Sequence, residues 1–273
     1  MVLKNLLPWG NNMRRYLRIY KAIININFAL ILAYRANFIN NMISSFVWGI
    51  FNFVWIGLVT NKTSKVFGWR SDELVVIILG YVLLTGLYYS LFAFNFQRFS
   101  RIIDRGEFDG MLLKPIDSQF QISMLHINYA TLIRTIMGSG LLIWWVTSHY
   151  FVIGIFQVVG FIVLIGVGIC MMYSIWFLLI TTLIWYPNLN NLVDLLYTLN
   201  GFARYPTEMF IKSGAIPLLI FIPISLIVST PAKVLLQKNA WGDIGLVVGI
   251  GCLLLTLSRV FWKHALKSYT SAS

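Results

Sequence analysis

Residues 151 to 186, FVIGIFQVVGFIVLIGVGICMMYSIWFLLITTLIWY, run for 36 positions without a charged side chain. A helix needs about 20 apolar residues to cross a hydrocarbon core of roughly 30 Å, so this stretch by itself puts the chain in a bilayer. It is longer than one crossing requires and short for two with a turn between them. It reads as one long, tilted span, with two tight spans as the alternative. The rest of the chain is of the same kind: 59% is hydrophobic, 11% is charged and mean hydropathy is +0.78. That is too apolar for a soluble domain to cover with a polar skin. Ten Trp and thirteen Tyr suit repeated crossing of lipid interfaces, where amphipathic rings settle.

Four further spans are plain: Ala36 to Val59, Leu74 to Phe96, Tyr129 to Thr147 and Ile244 to Phe261. Between Pro187 and Lys238 the chain is ambiguous. NLNNLVDLLYTLNGFARYP is moderately polar, while GAIPLLIFIPISLIVSTPA is apolar but broken by three prolines. Orientation follows from Lys and Arg in the flanks. Lys4, Arg14, Arg15, Arg18, Lys21 and Arg35 precede any acid, and Arg259, Lys263 and Lys267 follow the last one. Both termini are therefore expected in the cytoplasm, which requires an even number of crossings, and six fits best. Basic flanks facing anionic lipid account for much of the net charge of +12, and nucleic acid need not be invoked. MVLKNLLPWGNNMRRY has no uninterrupted apolar core ahead of a cleavage site, so no removable signal peptide is expected.

On a helix, Arg14, Arg18, Lys21 and Asn25 share one sector, opposite Tyr16, Ile19, Ile23, Ile26 and Leu30. This pattern fits an interfacial helix with its basic stripe toward headgroups; an ordinary basic flank is the alternative. Arg134, about a turn into the third span, reads as a snorkelling side chain.

The polar island RIIDRGEFDGMLLKPID, residues 101 to 117, interrupts this hydrophobic background. It belongs to the longest polar cytoplasmic segment between spans, Gln97 to His126. Its charges nearly cancel, with Arg98, Arg101, Arg105 and Lys114 against Asp104, Glu107, Asp109 and Asp117. A loop that served only orientation would be simply basic. Large apolar side chains, Phe108, Met111, Leu112 and Leu113, lie among the charges around Gly106 and Gly110, and Pro115 stops any helix. Mixed charge with exposed apolar anchors describes a docking surface; a solvated connecting loop is the alternative.

The chain has no phosphate-binding loop, no zinc-protease or serine-hydrolase motif, and no Cys and His cluster at metal spacing. Cys170 and Cys252 sit in apolar runs, where a thiol behaves as a small hydrophobe. An energised activity would thus need a cytoplasmic partner.

AYRANFINNMI at the first span, RGEFDGMLLKPID after the second, and ARYPTEMF followed by IPISLIVSTPAKVLL near the end together resemble the permease subunits of ABC transporters of the type-2 export family, in its branch of short uncharacterised permeases. The resemblance runs in order over nearly the whole chain. It implies an all-α integral membrane protein, a single permease domain over 1–273, in which an interfacial elbow helix (arm 1–35) precedes six transmembrane helices. It also implies a cytoplasmic coupling loop (97–127) and an outer re-entrant segment (207–238) before the last span. ATPase coupling then falls to Arg105, Glu107, Phe108, Asp109, Met111, Leu112 and Lys114. The implied partners are separate ABC ATPase subunits, which would carry ATP and Mg, a second permease chain, the same or related, and membrane lipid; no cofactor or metal is implied on this chain. The implied location is the inner, cytoplasmic membrane.

The resemblance also favours Leu189 to Tyr205 as the fifth span, with Ile216 to Val228 as the alternative. A span holding Asn190, Asn191, Asp194, Asn200 and Arg204 would face a transport path or a subunit interface, because ionisable groups at membrane depth avoid lipid. Two other classes compete with an exporter subunit. A membrane enzyme acting on lipid-linked substrates would need convergent acids and bases, and an ion-coupled carrier would need internal repeats.

Overall fold

The computed structural model describes residues 9–62, 65–149, 151, 153–187, 189, 191–212 and 221–270. Helices α1 (Trp9–Ala33) and α2 (Arg35–Lys62) meet at a bend at Tyr34. A two-stranded hairpin, Lys65–Val66 with Trp69–Arg70, then turns through Phe67 and Gly68, both at positive φ, as a tight two-residue turn demands. Next comes α3 (Ser71–Tyr88), which passes through a π turn at Tyr89–Ala93 into α4 (Phe94–Asp104). Together these form a rod of 34 residues, about 50 Å long at 1.5 Å per residue. That exceeds the hydrocarbon thickness of roughly 30 Å.

Two short helices follow, α5 (Phe108–Leu112) and α6 (Ser118–Met124), before α7 (Leu132–Ser148). The 36-residue apolar stretch holds a single unbroken helix, α8 (Ile155–Thr181), extended by a 3-10 turn at Thr182–Ile184, in agreement with the one-span reading. The last span is α12 (Trp241–Ser268). The chain is thus a multi-pass, all-helical membrane protein.

The segment between α8 and α12 differs from both expectations for a fifth span. It comprises α9 (Leu192–Asn200), a 3-10 turn at Gly201–Arg204, α10 (Thr207–Lys212) and α11 (Ile222–Leu235). Leu189–Tyr205 does not form one helix of crossing length, and of Ile216–Val228 the described part, from Phe221 on, belongs to α11 and the residue that precedes it. The 3-10 turn ends at Tyr205, which is extended, ahead of Pro206, whose ring disfavours a helical residue before it. Asn190 and Ile216 lie outside the described residues.

α3 is the central element, with Val75 to Leu79 all nearly or fully buried. It packs against α7 on one side and against α8 and α11 on the other. In lipid, where apolar surface gains nothing from meeting apolar surface, helices associate through close van der Waals contact at small residues. At Gly86 of α3 a Cβ would lie 2.7 Å from the Thr135 backbone nitrogen of α7, and at Gly138 of α7 one would lie 2.9 Å from the Leu83 nitrogen of α3. The two helices touch backbone to backbone.

Gly86→Ala should therefore lower the melting midpoint of the solubilised protein by the equivalent of about 1–3 kcal/mol. Gly166→Ala, where a Cβ meets nothing within 4 Å, serves as the control. Equal midpoints for the two variants would dismiss the close contact as a source of stability.

Candidate functional site

The polar island folds back onto the bundle. α4 ends in a paired C-terminal cap: Glu107 N–H donates to Ile102 O (3.0 Å) and Gly106 N–H to Ile103 O (3.0 Å). This motif needs the left-handed φ of 68° at Gly106. The cap reverses the chain so that the first residue of α5, Phe108, faces inward. Its ring lies 5.5 Å from Phe99 of α4, 6.0 Å from Trp262 of α12 and 5.0 Å from Tyr269, and Trp262 in turn lies 5.2 Å from Phe177 of α8. Such edge-on pairs contribute about 0.5–1.5 kcal/mol each beyond burial.

The expected row of exposed apolar anchors is therefore corrected. Phe108 is 0% exposed and Met111 is buried, whereas Leu112 and Leu113 face out, Leu113 at 86%. The outer surface also carries Arg105, Glu107 and Lys114, with Arg105 and Glu107 3.9 Å apart. Asp109 hydrogen-bonds Tyr269, so it helps hold the loop to the end of α12.

The return limb is gripped as firmly. Asp117 caps α6 by accepting from Phe120 N–H (3.0 Å), and Arg259 of α12 clamps its carboxylate while donating to Gln119 Oε1 (2.8 Å). Burial alone would raise the Asp117 carboxyl, but the Arg259 guanidinium and the Phe120 and Gln119 N–H groups hold it below its usual range. α1 lies along the same limb. Arg15 donates to Pro115 O (2.8 Å), Tyr16 OH accepts from Asp117 N–H (3.0 Å), and Asn27 Nδ2 donates to Leu125 O (3.2 Å). His126 Nδ1–H donates to Asn27 Oδ1 (3.1 Å), and burial, reinforced by Arg98, lowers its imidazole to about 4. Arg14, Arg18 and Lys21 stay exposed, as the basic stripe predicted, but so do Ile26 and Leu30 of the expected apolar face. Sequence reasoning missed Arg15, Tyr16, Asn27, Arg259 and Trp262, because nothing local to them marks the loop as their partner.

The polar residues of α9 divide. Asn200 is buried, accepting from Trp176 Nε1 of α8 (3.0 Å) and donating to Tyr89 OH (3.4 Å); it joins helices. Asn191 and Asp194 are exposed. Arg204 is half-buried, its Nε donating to Gly201 O (2.9 Å) and its guanidinium 5.6 Å over the Tyr81 ring. It does not pair with Asp194. Arg134, expected to snorkel, lies 5.6 Å over the Tyr89 ring.

At the opposite end of the bundle, Lys233 of α11 bridges Glu208 of α10 and Asp243 of α12, both at 2.5 Å, while Glu208 accepts from Trp69 Nε1 (2.8 Å). Lys238 pairs with Glu73 (2.7 Å) and lies 4.2 Å over the Trp69 ring. Among the described residues no His, Cys, Asp and Glu group could hold a metal ion.

The family described as ABC-2 family transporter protein matches residues 46–273. The match begins within α2 and includes the loop and everything after it. Neither the curated proteins nor the solved structures yield a match.

Stability from Asp117 is present above its unfolded value of about 4 and is lost as pH falls through the lower folded value. With Arg259 42% exposed, solvent screening limits the pair to about 1 kcal/mol at most. Asp117→Asn should thus lower the melting midpoint slightly at pH 7 and flatten its decline in acid. An unchanged decline would discard the clamp as an acid-sensitive element.

Proposed function

The chain belongs to the ABC-2 family of transporter proteins, and from that premise we propose that it works as half of an export pathway: two permease chains, identical or related, with two separate ATPase subunits docked beneath them. As a family member it is a membrane permease component of an ABC transporter. In this reading ATP and Mg are bound by the ATPase subunits, which would drive alternating access outward across the cytoplasmic membrane.

The observation that carries the reading is the double nature of the loop at residues 101–117. Its inner side is locked to α4, α12 and α8 through Phe108, and its outer side offers Arg105, Glu107, Leu112, Leu113 and Lys114. A force applied to the outer face would reach three long helices without passing through a flexible joint. Phe108, Met111 and Asp109 then act by anchoring the loop, and the exposed group makes the contact.

Further support comes from the flanking parts. α1 runs beside the return limb over twelve residues, from Tyr16 to Asn27, which suits an elbow helix in the plane of the inner interface, although its length and composition would also permit a crossing. α9 with its 3-10 turn would bring the chain outward as a short fifth crossing. α10 and α11 would then form the re-entrant pair: Phe210 and Phe221 lie near Phe202 in the interior, and Glu208 and Lys233 meet at the bundle end. Both termini would be cytoplasmic. Asn191, Asp194 and Arg204 are the proposed path or interface residues, with Asn200 supporting them from behind.

Two experiments test this reading. Purification of the tagged chain in mild detergent should bring with it a phosphate-loop ATPase, and Glu107→Lys with Leu113→Asp should abolish stimulation of that ATPase while membrane insertion stays normal. Undiminished stimulation would sink the docking assignment. Independently, cysteines at Leu113 and Trp241, 86% and 83% exposed, should react with an impermeant reagent from opposite sides of the membrane, Trp241→Cys from outside. Labelling from one side only would refute the topology.

A further inference from the structure

Beside the loop lies a cleft of about 520 Å³ walled by α1, the start of α2, α4 and residues 126–130. Arg98, Arg101 and Arg105 enter it from α4, at spacings of three and four that align them on one helical face. The only acid on its wall is Glu107, which pairs with Arg105. Among the described residues the guanidinium groups of Arg98 and Arg101 have neither a hydrogen bond nor an ion pair, and His126 is held neutral at physiological pH by its burial and by Arg98. Two cationic charges thus stand unneutralised in a concave site that also presents the amides of Asn37 and Asn41. The opposite wall is apolar, with Leu30, Ile31 and Phe38, and its rim stays open at Leu30 and Tyr34, 43% and 66% exposed.

We propose that this cleft binds the anionic phosphate headgroup of an amphiphile from the inner leaflet, with Arg98 and Arg101 on the phosphate and the apolar tail lying against α1 and α2. The apolar wall argues for an amphiphile over a water-borne anion, and forked guanidinium donors match phosphate geometry. The inference rests on the proposed cytoplasmic placement of α4 and is independent of ATPase docking. No residue it invokes for binding is assigned to the docking surface, since Arg105 is engaged by Glu107.

Native mass spectrometry of the intact chain in maltoside detergent, titrated with dioleoyl phosphatidylglycerol, dioleoyl phosphatidylcholine or inorganic phosphate, tests it without any ATPase present. The wild-type chain should prefer phosphatidylglycerol over phosphatidylcholine. Arg98→Gln with Arg101→Gln should weaken phosphatidylglycerol binding roughly thirtyfold, from the typical contribution of two basic residues at a lipid surface. Arg98→Lys with Arg101→Lys should retain most of it. Lys263→Gln with Lys267→Gln, which removes two exposed cations of α12 away from the cleft, should leave it unchanged. Equal weakening by the Lys263 and Lys267 changes, or equal loss in the Lys and Gln forms of the arginine pair, would overturn the proposal. Inorganic phosphate bound as tightly as the lipid would overturn the inner leaflet as the source. Failure of the topology experiment above, with this preference intact, would count against the placement of α4 and not against the site.

Discussion

A backbone in hydrocarbon has no water to bond, so each departure from regular helix must be enclosed by protein. This constraint organises the bundle. The π turn at Tyr89–Ala93 is covered by the loop before α7, where Asn128 N–H donates to Ser90 O (2.9 Å) and Asn95 Nδ2 reaches both Ser123 O and His126 O. The break after α9 is enclosed in the same way. Ala203, Pro206 and Thr207 are buried, and Ser225 of α11 donates to the Thr207 hydroxyl (3.1 Å). Both irregular stretches lie against α3, and α3 is correspondingly the most enclosed of the long helices. The segment that covers the π turn accounts for Asn95 in the continuation of so apolar a helix, since its amide bonds that segment.

Regular helices packed through small residues resist bending, and a short loop anchored to them shares that stiffness. Phe108 packs between α4 and α12, and Trp262 carries the contact on to Phe177 of α8, while Asp117 and Arg259 hold the return limb against α12. The loop is therefore held to the body of the bundle, and in the proposed reading its exposed residues would act as a handle. The cleft on the α1 side belongs to the same construction. In the proposed placement α4 would project past the bilayer to carry the handle, and its arginines would then stand at the depth where headgroups lie. Docking and headgroup binding would use neighbouring faces of one helix, so an occupant of the cleft would lie next to the path along which movement is passed.

Legibility from the sequence tracked the physical range of each signal. The apolar helices α3, α7, α8 and α12 were readable because hydrophobicity over about 20 residues is a local property. The loop was readable as an anomaly, since mixed charge with glycines and a proline stands out against an apolar chain. The inward turn of Phe108 was not, because it depends on Trp262 and Tyr269 more than 150 residues away and on a cap whose geometry appears only when α4 ends at Gly106. The segment before the last span was less legible for a related reason: its short helices and the breaks between them are held by α3 and α11, which no single window of sequence contains.

The sequence by itself determined a multi-pass helical membrane protein with basic flanks, one polar island and a proline-broken segment before the last span. These follow from transfer free energies and backbone stereochemistry, which act residue by residue. Only the tertiary structure decided which side of the island faces inward, that Asn200 joins helices while Asp194 and Arg204 stay apart, and that three arginines of α4 share a cleft with α1. Those outcomes depend on contacts between segments far apart in the chain, and such contacts exist only once the helices have packed.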